Sequence, residues 1–253
     1  MAKRDDIIDF CDELLDVTAF SDYGPNGLQV PGDAEVGKVA TGVSAHRELI
    51  ERAVDAEAQM LLTHHGLFWD FLPRALSEPM AERLRLALAA RLSVASYHLP
   101  LDAHPETGNN ALIRDGLGFE ASPEPFGIAR GRPIGVVGRS AEGIGAEELT
   151  ERVRALTDRE PLVFAAGPDP VRSIGIASGA GASMVHEAVA LGLDALLTGE
   201  PAEHVMADAR EGRLHFIAAG HYATEIFGVR RLGELVAERF EVEHEFIAVP
   251  NPV

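Results

Sequence analysis

Three imidazoles and two carboxylates of this chain stand where short apolar runs are predicted to end as strands. They are His64, His65, Asp102, His221 and Glu225. Residues just beyond the carboxyl ends of parallel strands line the crevice in which α/β proteins bind ligands. Five such donors are too many for one tetrahedral site with an open position. They suit two cations that share a bridging carboxylate, with water at the remaining positions.

The first three donors also have plainer interpretations. A pair such as His64 and His65 is often a surface pair, although neighbouring residues leaving a strand point to opposite sides and can reach two ions. Asp102 stands where a turn or a helix cap is common. Pro100 and Pro105 predict a loop around it rather than a helix.

A repeat within the sequence supports the pair His221 and Glu225. Ala-Val and Leu-Leu-Thr, between positions 53 and 63, recur 135 positions later, and Val94 to His98 is echoed 123 positions later by Ile217 to His221. Each half then places a carboxylate four residues after its histidine. The i, i+4 spacing puts both side chains on one helical face, which also occurs on plain surface helices. The repeat predicts two similar lobes.

Four further side chains are candidates for supporting roles. His98 lies four residues before Asp102 and has an ordinary pKa near neutrality, so it is a candidate proton shuttle or a further ligand. Tyr23 and Asn26 belong to a loop whose Pro-Asn-Gly is also typical of a tight turn. Glu200 is the repeat counterpart of the His-His segment, which predicts that it faces the same crevice.

Hydrophobic periodicity predicts an α/β protein with buried parallel strands, because helical spacing alternates with short continuous apolar runs. The most linker-like stretch, 121 to 133, contains three prolines and predicts lobes at 1–124 and 125–253. The last segment, Val242 to Val249, is predicted to be a strand that can pack back on the first lobe. Gly175 to Gly181 is typical of a strand-to-helix turn, either a plain turn or one that holds an anion.

Composition limits the class of protein. The chain has 253 residues, 46% of them hydrophobic, and a formal net charge of -18. This acidity opposes unaided binding to a nucleic-acid backbone, and no apolar run approaches the length of a membrane span. The N-terminus lacks a signal-peptide pattern, so we expect a cytoplasmic protein. Cys11, the only cysteine, lies at helical spacing with apolar neighbours and is predicted to be a buried hydrophobe.

Ordered motifs across the whole chain resemble the Nif-three-like family of dinuclear-metal proteins, often called GTP cyclohydrolase I type 2 homologues. The motifs are Tyr23-Gly24-Pro25-Asn26-Gly27-Leu28-Gln29-Val30, Leu62-Thr63-His64-His65-Gly66-Leu67-Phe68-Trp69, Tyr97-His98 with Leu101-Asp102, Thr198-Gly199-Glu200, and Gly220-His221-Tyr222-Ala223-Thr224-Glu225. Two features depart from the family pattern: Gly66 stands where Pro is usual, and the segment Gly42 to His46 lacks the usual Asp.

The resemblance implies two similar α/β lobes, a toroidal homohexamer, and two divalent metal ions bound by the five donors named above. Imidazole and carboxylate ligands without thiolate suit Zn, Fe, Mn or Ni. One hypothesis is a metal-dependent hydrolase acting on a phosphoester or nucleotide-type substrate. The other is a non-catalytic metal-binding or scaffold protein. The aromatic segment Phe68 to Phe71 also indicates an interface between subunits.

Overall fold

Strands and helices alternate along the chain in the computed structural model, which describes residues 1–253. The strands are β1 Ala2–Lys3, β2 Gly27–Val30, β3 Glu35–Val36, β4 Lys38–Ser44, β5 Met60–His65, β6 Ser93–Ser96, β7 Glu120–Ala129, β8 Arg132–Ile144, β9 Leu162–Phe164, β10 Val171–Ala177, β11 Ala195–Thr198, β12 His215–Ala218 and β13 Glu243–Phe246. The helices are α1 Arg4–Leu14, α2 Arg47–Asp55, α3 Glu78–Ala89, α4 Leu99–Ala103, α5 Asn109–Leu117, α6 Ala146–Thr157, α7 Val185–Ala190, α8 Val205–Gly212, α9 His221–Thr224 and α10 Ile226–Phe240. No helix combines the length and the apolar character that a membrane span requires.

The first of two compact units, unit 1, consists of Met1–Leu101 and Gly228–Val249. Its five-stranded sheet has the order β13-β4-β5-β6-β2, in which only β2 runs antiparallel to its neighbour. The central strands read as continuous apolar runs because both of their faces are buried. In α1, Cys11 is fully buried with Ile7, and burial raises the pKa of its thiol. The predicted buried role of Cys11 is therefore confirmed.

The second unit, unit 2, consists of Asp102–Phe227 and Pro250–Val253. Its six-stranded sheet has the order β7-β8-β10-β11-β12-β9. The three strands β10, β11 and β12 are parallel, whereas β8 and β9 pair antiparallel with β10 and β12. The sheet separates two apolar clusters, one around Ile174 and Leu197 and the other around Leu196 and Phe216.

The stretch predicted to be a linker is instead a hairpin. Residues 121 to 129 lie in β7, 130 and 131 form the turn, and 132 and 133 begin β8. The contacts divide the chain between Leu101 and Asp102 rather than near 124. Pro123 and Pro125 are tolerated because they lie in β7, an edge strand, where a proline can be placed without losing a ladder bond. The ladder is also irregular between Ser122 and Phe126, the part that holds two of the prolines.

The predicted repeat has a structural counterpart in the two parallel cores. Met60 pairs with Val39 in one sheet and Ala195 with Ile174 in the other, so both strands keep an offset of 135. The third strand of each core, β6 or β12, departs from the predicted offset of 123. Met60 pairs with Ser93 and Ala195 pairs with His215, so the offset is 122. His98 therefore corresponds to Gly220, and His221 comes one residue later.

Candidate metal centre

Three histidines come together in unit 1. His64 and His65 are the last residues of β5, and His98 follows β6, the neighbouring parallel strand. One ligand atom from each ring lies within 4.8 Å of the others. The ring centroids of His64 and His98 are 5.1 Å apart, and those of His65 and His98 are 5.6 Å apart. The sequence predicted all three as site residues, and the structure groups them.

Hydrogen bonds orient the two rings of β5. Nδ1 of His64 lies 3.0 Å from the carbonyl oxygen of Tyr97. Nδ1 of His65 lies 3.0 Å from Oγ of Ser44, at the end of the adjacent β4. Metal-binding histidines usually use one ring nitrogen for such a contact and the other for the ion. An ion bound by these rings would therefore take Nε2.

His98 is held by the loop that precedes β2. Its Nδ1 lies 2.7 Å from Oδ1 of Asp22, and its backbone N–H donates to Oδ1 of Asn26 at 2.8 Å. The Asn26 amide in turn donates to Asp22 at 2.9 Å. Burial would raise the pKa of Asp22, but hydrogen bonds from His98, Asn26 and the backbone of Tyr23 lower it to about 2. Asp22 is thus a carboxylate that fixes the His98 ring.

An aromatic wall, formed by Trp69 and Phe71, lies beside these histidines. The indole of Trp69 meets His98 edge-on at 5.1 Å and lies 5.8 Å from the His65 ring. Phe71 stacks on Trp69 at 5.6 Å and is 71% exposed. The Tyr23 ring also meets His98 edge-on, at 6.2 Å. Flat apolar surfaces therefore flank the polar cluster of unit 1.

Asp102 is buried in unit 2. Its Oδ1 accepts hydrogen bonds from the Asn109 amide at 2.8 Å and from the Ser178 hydroxyl at 3.1 Å. The predicted loop around it is wrong, because Asp102 lies in the five-residue helix α4. Pro100 is the second residue of that helix, and the first turn needs no N–H from it.

His221 lies between two carboxylates in the same unit. Its Nδ1 is 2.5 Å from Oε1 of Glu200, and its Nε2 is 3.1 Å from Oε2 of Glu225. Burial would lower the pKa of His221, but Glu225 and Glu200 raise it to about 9. The side chain of Glu225 is only 4% exposed. Two carboxylates that together hold a proton on one imidazole present the charge that a divalent cation requires.

The turn after β10 fits closely against this pair. Gly179 has φ +64°, and a Cβ on it would lie 2.3 Å from Oε1 of Glu225 and 3.2 Å from Nε2 of His221. Its N–H donates to the Thr224 hydroxyl at 3.0 Å, and its carbonyl accepts from the N–H of Glu200 at 2.9 Å. Within the stretch 175 to 181, for which the sequence left a plain turn and an anion-binding turn open, Gly179 lets the backbone approach His221 and the Glu225 carboxylate.

The donor chemistry of both units fits divalent metals, with imidazole nitrogens and carboxylate oxygens held by hydrogen bonds. Sequence reasoning missed the side chains that hold them, namely Asp22, Ser44, Asn109 and Ser178. A signal existed for Asp22, four residues before Asn26 in the same motif. No local signal existed for Ser44 or Ser178, because each contacts its partner across a sheet or a long stretch of chain.

Known proteins share this sequence and fold along nearly their whole length. A family model described as Duf34/NIF3 (NGG1p interacting factor 3) matches residues 2–252, and the chain belongs to that family. The GTP cyclohydrolase 1 type 2 homolog of Pseudomonas aeruginosa is 41% identical over 246 residues, 97% of each chain. That of Deinococcus radiodurans is 38% identical and covers 98% of this chain and 94% of its own. The solved structure of protein ybgI, of unknown function, is 37% identical with a TM-score of 0.93, and 100% of each chain is covered. The predicted family and α/β fold are confirmed.

Proposed function

We propose that this protein is a divalent-metal-dependent hydrolase that binds two ions per chain. The ligands are His64 and His65 of unit 1 and Asp102, His221 and Glu225 of unit 2. One observation carries the proposal: most of these side chains are oriented by a hydrogen bond through an atom that need not bind the ion. For imidazole ligands that arrangement fixes the tautomer and the ring orientation, and it raises the basicity of the ligand.

Other residues of the chain orient the proposed ligands. Ser44 and Glu200 orient the ligand rings of His65 and His221 through Nδ1. Asn109 and Ser178 orient the carboxyl group of Asp102 by donating to its Oδ1. When bound, the cations would polarise a scissile bond and lower the pKa of water.

His98 is the proton carrier in this proposal. Asp22 fixes its ring at Nδ1, so a proton would move on and off the ring at Nε2. The same arrangement would also suit a sixth ligand. The two roles separate experimentally, because a ligand affects metal content and a proton carrier affects turnover alone.

The substrate class follows from the surfaces beside the histidines. Trp69, Phe71 and Tyr23 offer faces on which a flat ring can stack, and base-to-aromatic stacking contributes about 1–3 kcal/mol per base. Asn26 presents an amide beside His98. We therefore propose a phosphoester or nucleotide-type substrate. Its planar ring would stack on these aromatic side chains, and its charged part would lie at the cations.

The test is elemental analysis of the full chain after mild purification, followed by a phosphoester and nucleotide hydrolysis screen with the metal retained. We expect two ions per chain and weak turnover. His98→Gln should keep both ions and lower turnover by roughly two to four orders of magnitude. Substoichiometric metal in the wild type would contradict the proposal. Loss of metal in His98→Gln would make His98 a ligand, and full metal without turnover on any substrate would favour the scaffold hypothesis.

The same preparation tests a proposed homohexamer. The support is the family resemblance together with the exposed apolar residues Phe71, Leu72 and Leu76, which are 71%, 42% and 58% exposed. Such a patch is a typical interface between chains. Light scattering should then give six times the chain mass of 27.1 kDa. A mass of one chain at micromolar concentration would rule it out.

A further inference from the structure

A second group of metal-type side chains lies on unit 2, on helices that the proposed centre does not use. His186 is on α7, Asp208 is on α8, and His204 immediately precedes α8. One ligand atom from each lies within 4.8 Å of the others. His204 Nδ1 contacts Oδ2 of Asp208, four residues further along the chain, at 2.7 Å.

The core holds the two helices so that these side chains meet. Val185 and Ala188 of α7 and Val205 and Ala209 of α8 are buried in one apolar cluster. The metal-type side chains lie on the outer side of the helices. There, 70% of the His186 side chain and 50% of the His204 side chain are accessible. Backbone packing therefore sets the separation of the three donors, while their tips remain open to ions in solvent.

The geometry points to a separate binding site for a zinc-class divalent cation, formed by His186 Nε2, His204 Nδ1 and Asp208 Oδ2. In a tetrahedral site with bonds of about 2.0 Å, ligand atoms lie about 3.3 Å apart. The observed distances to Asp208 Oδ2, 2.7 Å from His204 and 3.8 Å from His186, bracket that value. All three ligand atoms lie within 4.8 Å of one another, so modest side-chain rotations would bring them onto one ion.

Binding replaces a proton. In the contact between His204 and Asp208 the proton lies between Nδ1 and Oδ2, and the cation takes its place. A neutral His204 ring then carries its one hydrogen on Nε2 and releases no proton, whereas a protonated ring loses one proton to water. Water fills the fourth position, so the ion crosslinks α7 to α8 and stabilises the pair.

Zinc titration of the full chain, purified with its own metal, tests this site. Calorimetry should show that the wild type takes up one more equivalent of added zinc than His186→Ala or Asp208→Asn. Glu211→Gln, which changes another exposed carboxylate of α8, is the matched control and should equal the wild type. The melting temperature should rise with zinc in the wild type and the control, and less in the other two.

The result is independent of the proposed hydrolase centre. A Glu225→Ala variant should still take up the equivalent that depends on His186, even if its other metal is lost. Equal zinc uptake by the wild type and His186→Ala would overturn the proposal. So would an unchanged zinc effect on the melting temperature of both variants. Circular dichroism verifies that the variants are folded, which the exposure of His186 leads us to expect.

Discussion

The parallel core of unit 1, β4-β5-β6, and that of unit 2, β10-β11-β12, share their register and differ at their tips. Both begin from pairs that keep an offset of 135, and most of their buried residues are aliphatic. At the ends, His64 and His65 correspond to Gly199 and Glu200. A one-residue slip would turn a strand's core side chains to its other face, so packing fixes the register. The residues at the strand ends need not match in type between the two cores and can carry different chemistry.

The third strand of each core shows how a small backbone change alters a site. Tyr97 donates to Asp12 at 2.8 Å and is buried, and His98 follows it in the chain. In unit 2 the corresponding position after Ala219 is Gly220, whose φ of +94° lets the chain turn directly into α9. His221 therefore begins a helix and can meet a carboxylate four residues later, whereas His98 receives its carboxylate from a distant loop.

Charge separates the two regions further. Near its histidines unit 1 has one ionised carboxylate, Asp22, whereas unit 2 has Asp102, Glu200 and Glu225 in contact with site residues. We infer that the proposed ions depend more on the carboxylates of unit 2 than on any one imidazole of unit 1.

Removing the buried carboxylate should have the largest effect. We expect Glu225→Ala to lose at least one ion per chain, because Glu225 is the partner of His221 and is almost inaccessible to a substitute from solvent. Elemental analysis after mild purification measures this. Glu238→Ala, which removes an exposed carboxylate of α10, should retain the full content. Two ions in Glu225→Ala would mean that unit 2 does not dominate.

This comparison also shows what the sequence could reveal. Apolar runs and helical spacing predicted the parallel strands and α1, because burial of both sheet faces and of one helix face leaves a direct mark on composition. The five residues proposed as ligands could be selected from the sequence because each follows a short apolar run, and their role as ligands stays a prediction. The hairpin at 121 to 133 was not predicted, since prolines on an edge strand resemble a linker. Neither was the role of Ser44 or Ser178, which depends on strand pairing over 21 residues and a contact over 76 residues.

Ser44 and Gly179 occupy the same position in the two cores, 135 residues apart. Substituting each of them should affect metal binding less than Glu225→Ala does. Ser44→Ala removes the hydrogen bond to His65 and should weaken metal binding about 10- to 100-fold. Gly179→Ala should do more, because its Cβ would overlap Glu225 and because a left-handed conformation costs about 1–2 kcal/mol for residues other than glycine.

Competition with a coloured chelator measures both affinities. Ala180→Ser, next to Gly179 and exposed, serves as the control for the turn. Equal affinities for Gly179→Ala and the wild type would show that the close approach of this backbone is unimportant for the site.

The smallest expected effect concerns a polar pair in the core of unit 1 where unit 2 has an aliphatic residue. Thr41 Oγ1 lies 2.8 Å from His244 Nε2, and the position corresponding to Thr41 in β10 is Ile176. Burial is the main cause that lowers the pKa of His244, with Arg230 adding to it and Glu234 and Glu245 opposing it. The folded state thus favours the neutral imidazole.

The sign of the pH effect follows from this preference. Above the ordinary histidine pKa of about 6.5, both states are neutral and His244 contributes no pH dependence. As the pH falls below that value, the unfolded chain binds the proton first, so the free energy of unfolding decreases by at most about 1.4 kcal/mol per pH unit for this one proton. Urea unfolding at pH 7.5 and 5.5 should show a smaller loss in His244→Gln than in the wild type. An identical loss in both proteins would mean that the polar pair in β4 and β13 is as indifferent to pH as the aliphatic position in β10.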